Sequence, residues 1–415
     1  MNMTQTQGAA TYRDIACSRL VSNAQPYLNT RGRDKQNPVQ FNPDKFCSFS
    51  CQDHHRQIRH LRRIDRMIHV FFLEYIDTAN SFPVISDRVV HYGSESRREI
   101  VALERYDYPD TNSLLEDSFL SLGGKLAFLS LNRCTTVLVV FAAMIAYLCE
   151  GSSILSSPVM RNHKLTCSDL HPAIEIHEAH INNVLSDQEV HVLYLTEDRS
   201  PVKVHVAEVH SMFRITTTKQ DSAIVPAEPA QLDGTGLYCD TTAAQHGRIS
   251  GLQDAKAYHR RHPDSKIVYY TSLGYYRHTH YLSQLDTTSV KPTKNRILAL
   301  RQEAYIRTIN NVVHKEIESI GGRARLFDMK FADFEVTYTT MAAHVQSALL
   351  KVTVELHELW ADLPQDMGSG SIEHVDRHQV VVDRCMGAGH TACLRALQQR
   401  APRAWVYADG QLASL

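Results

Sequence analysis

The stretch VVVDRCMGAGHTACLRAL, residues 380–397, carries the most pointed chemistry in the sequence. Three apolar residues run into Asp383, a Gly-Ala-Gly turn follows at Gly387 and Gly389, and Thr391 lies in a stretch that reads as helix. A strand that turns through glycines into a helix lets backbone approach a ligand closely, because a Cβ at the turn would meet it. An acid at the end of the next strand can accept both hydroxyls of a ribose, and Asp409 in WVYADG stands where that acid belongs. The third glycine of a dinucleotide fingerprint is missing, which disfavours NAD.

The segment resembles the AdoMet-binding motif of amino-group DNA methyltransferases, an Asp-Pro-x-x-Gly-x-Gly-x-Thr pattern after an apolar strand. Asp383, Gly387, Gly389 and Thr391 match, and Arg384 replaces the proline. In permuted members of that family the motif lies near the C-terminus. The resemblance implies S-adenosylmethionine over the glycine turn, with Asp383 near its methionine end and Asp409 on its ribose. It also implies an upstream catalytic motif, for which SILSSPVMRNHK offers Ser157 and Pro158, with Val159 and Met160 in place of a second proline and an aromatic ring. That ring stacks on an extruded base, so methyl transfer to DNA is expected to be slow or absent. The alternative reading is a non-enzymatic, nucleic-acid-associated or viral structural or interaction protein, in which the turn is architectural.

Other clusters carry weaker chemistry. Arg56, Arg59, Arg63 and Arg66 share one face of a helical pattern, a stripe able to contact nucleic-acid phosphates without reading sequence. CSFSCQDHH places Cys47, Cys51 and His54 at a spacing that zinc accepts, but only three ligands are well placed, so free cysteines are expected and no metal site is assigned. In HPAIEIHEAH, His177 and His180 would share a face on a helix; the His-Glu-x-x-His spacing of a metalloprotease is absent. YYRHTHYL interleaves aromatic and basic residues, which reads first as core packing.

These residues need elements to hold them. The spacing of Ile58, Leu61, Ile64 and Ile68 predicts a helix from about 52 to 79. The uncharged run CTTVLVVFAAMIAYLC, 134–149, is too short for a membrane span and reads as a buried core element. EVHVLYL, VKVHVAEVHSMFRI and KIVYYTS read as strands, and 219–265 as mainly loop. TKNRILALRQEAYIRTINNVVHKEIESIGG reads as a helix stopped by a glycine pair, ARLFDMKFADFEVTY as a strand pair, and TMAAHVQSALLKVTVELHELW as a further helix.

The fold class expected is α/β, a Rossmann-like sheet with a helical N-terminal region and an inserted α+β recognition segment. Its parts are a polar arm and basic helical region at 1–115, the first part of the core at 116–218, an inserted recognition-like region at 219–365, and a cofactor-binding part at 366–415. With 44 basic against 45 acidic residues, any nucleic-acid surface must be local. Nine scattered cysteines argue against a secreted disulfide framework. The opening MNMTQTQGAATYRD lacks the pattern of a signal peptide. A cytoplasmic or, for a viral protein, host-intracellular location without membrane insertion is expected.

Overall fold

The computed structural model describes residues 49–79, 84–92, 95–103, 122–150, 173–186, 189–195, 201–204, 208–218, 236–248, 251–282, 293–361, 372–400, 405–408 and 411–414. It is a mixed α and β structure, mostly helical, with a multi-stranded antiparallel sheet.

Helix α1 is Phe49–Ala79, α2 is Leu122–Ser130 and α3 is Cys134–Glu150. From Val137 to Cys149 every side chain of α3 is buried. That explains its lack of charge: a helix apolar on all faces is wrapped by other elements rather than half exposed. No helix among the described residues is long and apolar enough to cross a membrane. Helix α1 lays Ile64, Met67, Ile68, Phe71, Phe72, Tyr75 and Ile76 into the same core, with Phe72 meeting Phe141 of α3 edge-on at 6.4 Å.

Strands β3 (Ala173–Asn182), β6 (Val209–Thr218), β7 (Leu237–Asp240), β8 (Gly251–Asp254) and β9 (Lys266–Ser272) form a five-stranded sheet in the order β8-β7-β6-β3-β9, every pairing antiparallel. One face, through Ile176, Phe213, Ile215, Leu237 and Cys239, joins the main core with α3. The other, through Ala179, Met212, Tyr238 and Tyr270, packs with Tyr258 of helix α4, Ala255–Arg261. Strands β1 (Val84–Tyr92), β2 (Glu95–Leu103), β4 (Glu189–Leu195) and β5 (Pro201–Val204) form a second sheet, in which only β2 and β4 run parallel. A hairpin of β10 (Trp405–Ala408) and β11 (Gln411–Ser414) forms a separate two-stranded sheet, with β10 close to β9.

The remaining α-helices are α5 (Thr293–Ser319), α6 (Arg323–Asp328), α7 (Phe331–Ala361), α8 (Ile372–Arg384) and α9 (Ala388–Arg400). Gly321 and Gly322, at φ +93° and +98°, end α5, and the Gly322 N–H donates back to the Ile317 carbonyl at 2.8 Å.

Several expectations are corrected here. VVVDR, expected as a strand, is the last turn of α8, and the glycine turn joins two helices. Val381 and Val382 are buried while Val380 is exposed, so the run is one side of an amphipathic helix. Strands near 155, 192, 382 and 407 do not make one sheet: 192 lies in β4, 382 is helical, 407 lies in the hairpin, and 155 is outside the described residues. ARLFDMKFADFEVTY is α6 and the start of α7, not a strand pair. The loop expected over 219–265 contains β7, β8 and α4. HPAIEIHEAH is largely β3, so His177 and His180 point to opposite faces of a sheet; His177 stacks on Tyr270 and His180 on Tyr276.

Candidate active site

Helix α3 begins after a tight turn from α2. The Arg133 N–H donates to the Ser130 carbonyl at 3.1 Å, and Asn132 sits at φ +54°, a conformation asparagine tolerates. The Arg133 carbonyl accepts from the Val137 N–H, the first helical bond, so Cys134 is the first residue of the helix. The N–H groups of Cys134, Thr135 and Thr136 have no intrahelical acceptor and give this end a partial positive charge.

Two strand ends meet the turn. His210 is the second residue of β6 and Asp240 the last of neighbouring β7; antiparallel pairing brings both to one end of the sheet. His210 Nε2 lies 2.8 Å from Asp240 Oδ1 with both side chains buried. His210 and Ser211 lie close enough to the Cys134 thiol to lower its pKa. The thiol itself lies 3.9 Å from the Val209 carbonyl.

A 3-10 turn, Ala243–His246, closes the cluster. Gln245 donates from Nε2 to His210 Nδ1 at 3.0 Å and to Thr242 Oγ1 at 3.3 Å, and its Oε1 accepts from the Asn132 N–H at 3.0 Å. His246 presents an edge to the His210 ring with centroids 4.7 Å apart, and its Nδ1 is 3.1 Å from Ser186 Oγ. Ser211 Oγ is 2.7 Å from His180 Nδ1.

The electrostatics follow from this packing. Burial pushes the Cys134 thiol up, but the His210 imidazole and Ser211 donors outweigh it and hold the thiol below its ordinary value. Burial alone would depress His210; the Asp240 carboxylate and the Cys134 sulfur reverse that and raise it to about 9. Asp240 is held below the usual carboxylate range, its burial more than offset by His210, Arg248 and His246. His246, buried beside the His210 charge, is pushed down to about 3. The other described thiols behave oppositely: burial raises Cys385, pushes Cys393 up to about 12, and together with Asp65 raises Cys239 well above the usual value. A thiol held down by an imidazole that is itself held by a carboxylate is the arrangement of an activated nucleophile.

The residues singled out from sequence lie elsewhere. Gly387 and Gly389 bring α9 against α5. A Cβ on Gly387 would come within 2.6 Å of the Asn311 side chain. One on Gly389 would come within 2.7 Å of the Asn310 carbonyl oxygen and the Asn311 Cα. The close approach that glycine permits is helix to helix. Asp383 is an exposed residue accepting from Gln379 at 2.8 Å and lying 3.6 Å from Arg307; the Thr391 hydroxyl donates to the Gly387 carbonyl. Ser157, Pro158, Asp409 and Cys47 lie outside the described residues, as do the side chains of Cys51, His54 and Arg56.

The rest of the arginine stripe has partners inside the chain. Arg63 is buried, donating to the carbonyls of Phe327 and Met329 at 2.7 and 2.8 Å with its guanidinium over the Phe334 ring. Arg66 pairs with Glu335 at 2.7 Å and Arg59 with Asp328 at 3.4 Å. The stripe thus fastens α1 to α6 and α7. No group of three or more metal-ligating side chains occurs among the described residues.

Sequence reading missed Cys134, His210 and Asp240 because they are far apart along the chain and share no local motif. One signal was available: a cysteine opening an uncharged helix, where a thiolate gains from the helix N-terminus. Comparison with protein-family models, curated proteins and solved structures finds no match to the chain.

Proposed function

We infer that the chain is a cysteine-nucleophile enzyme of the acyl-transfer class, acting on a carboxylic ester, thioester or amide. The observation that carries this reading is the meeting of a thiol on a helix N-terminus with an imidazole held from behind by a buried carboxylate at 2.8 Å. Such constellations recur on unrelated folds and are recognised by geometry and roles.

The roles follow from the contacts. His210 takes the Cys134 proton and Sγ attacks the acyl carbon, moving the carbonyl electron pair onto oxygen. The first-turn N–H groups of α3 supply donors for that oxyanion. Collapse breaks the bond to the leaving group, which receives the proton from His210, and leaves an acyl group on Cys134 as a thioester. Water, or a second nucleophile in a transferase, attacks the thioester with His210 as base, and the thiol returns. Asp240 keeps the Nε2 proton in place and stabilises the imidazolium of both steps.

Cys134 is only 4% exposed, so a small activated ester is the suitable first probe. With p-nitrophenyl acetate the expected result is a burst of p-nitrophenolate and an acetyl group on Cys134 in the quenched protein. C134S should abolish it and H210A slow it by about 10²-fold or more. Acetylation of Cys134 at an unchanged rate in H210A would remove this reading.

A further inference from the structure

The Gln245 side chain favours one protonation state of the histidine beside it. A backbone N–H is a donor at every pH, and the Asn132 N–H points at the Gln245 amide at 3.0 Å, so the atom that meets it must be Oε1. The NH2 group is therefore the one facing His210 Nδ1 at 3.0 Å and Thr242 Oγ1 at 3.3 Å. An amide nitrogen offers no lone pair to accept with, so this contact is a hydrogen bond only while Nδ1 is bare and the single ring proton sits on Nε2, where Asp240 accepts it. Gln245 thus opposes the second protonation that Asp240 favours.

A neutral ring with a bare Nδ1 is ready to accept the Cys134 proton. Once it does, N–H faces N–H between His210 and Gln245. The amide cannot turn over without setting its NH2 against the Asn132 N–H. Forming the thiolate–imidazolium pair therefore requires Gln245 to leave Nδ1.

We propose that Gln245 is a positioning residue that opposes proton transfer from Cys134 to His210 at Nδ1, and yields Nδ1 when an acyl substrate engages. The proposal rests on the acyl-transfer reading of Cys134, His210 and Asp240. Other titratable and charged groups around the ring are Cys134 from α3, Asp240 from β7 and His246 from the 3-10 turn. Arg248 acts on Asp240, and from α1 His69 reaches the Thr241 carbonyl while Asp65 feels the Asp240 charge. Gln245 differs from all of these in meeting Nδ1 with a donor whose orientation a backbone amide dictates.

The test is the pH profile of Cys134 alkylation by iodoacetamide, read by mass spectrometry of its peptide in the unmodified chain, Q245M, Q245A and H210A. Methionine keeps most of the side-chain volume while removing the donor. In Q245M and Q245A the midpoint should fall by about half a unit to one unit, the effect of losing one hydrogen bond to the neutral ring, while turnover of an activated ester also falls. A purely structural role would lower turnover and leave the midpoint unmoved. An unmoved or raised midpoint in Q245M, with that of H210A raised, overturns the proposal and leaves the acyl-transfer reading standing. A midpoint unmoved in H210A removes that reading and the proposal together. Independently of any variant, 15N-histidine spectra of the unmodified chain should show the neutral His210 ring protonated on Nε2; a neutral ring protonated on Nδ1 would overturn the proposal.

Discussion

His210 Nε2 and Asp240 Oδ1 stand 2.8 Å apart beneath the surface, at the shared end of two antiparallel strands. The carboxylate is too deeply buried to be a surface ion pair, and its partner faces a thiol that opens a helix. Asp240→Asn keeps the size and an acceptor oxygen but removes the charge that favours the imidazolium. The expected outcome is a loss on the order of 10²-fold in acylation rate and a higher pH midpoint for Cys134 alkylation. Circular dichroism melting should confirm that the fold persists. An unchanged rate in a folded Asp240→Asn protein would leave Asp240 with a structural role only.

Gly389→Ala tests what the glycine turn is for. Its Cβ would press on the Asn310 carbonyl oxygen and the Asn311 Cα, both backbone atoms of α5, so a helix must shift. A cost of about 1–3 kcal/mol in urea unfolding is expected, the usual range for overpacking, with no change in Cys134 alkylation. A fully stable Gly389→Ala protein would contradict the close packing of α5 and α9.

Glu303 anchors a buried ionic cluster on α5. Its carboxylate lies 2.8 Å from Arg277, 2.9 Å from Arg307 and 3.3 Å from His390 of α9. Burial would raise its pKa, but these three partners hold it down to about 2. Because the folded value lies below the ordinary carboxylate value of 4.5, its stabilisation is complete above about pH 4.5 and is lost as pH falls toward 2. The contribution is about 3 kcal/mol. Glu303→Gln should therefore unfold at lower urea concentration at pH 7, by about 3–5 kcal/mol because Arg277 is left buried without its counter-charge. That difference should shrink between pH 4.5 and 2.5. A difference independent of pH would show that the cluster acts through shape alone.

The legible parts of the fold were those in which one local pattern carries the information. The apolar spacing of Leu61, Ile64 and Ile68 marks the buried side of α1, and the uncharged run after Cys134 marks a helix buried all round. The β-like runs EVHVLYL and KIVYYTS mark β4 and β9. ARLFDMKFADFEVTY misled because its apolar residues fall at spacings that suit a strand as well as a helix; only packing of Phe327 and Phe334 into the core beneath α1 decides for helix. Gly387 and Gly389 lie against α5, and a glycine pair signals close approach without saying whether a ligand or another helix approaches.

The site was illegible for a different reason. Cys134, His210 and Asp240 belong to three elements, and nothing near any of them names the others. Their meeting depends on which strand ends fall beside the start of α3, a property of sheet order rather than of any segment. Gln245 was further hidden, since it acts through a backbone N–H of Asn132 more than a hundred residues earlier in the chain.

The account stands or falls on whether Cys134 is an activated thiol. The most direct measurement is competitive labelling of the native chain with limiting iodoacetamide at pH 6, where an ordinary thiol is almost entirely protonated, followed by mapping of all nine cysteines. The account predicts that Cys134 is alkylated ahead of the other eight despite its burial, and that this lead disappears in H210A and in urea. Labelling of Cys134 no faster than the remaining cysteines in the native chain, or a lead that survives unchanged in H210A, would contradict it.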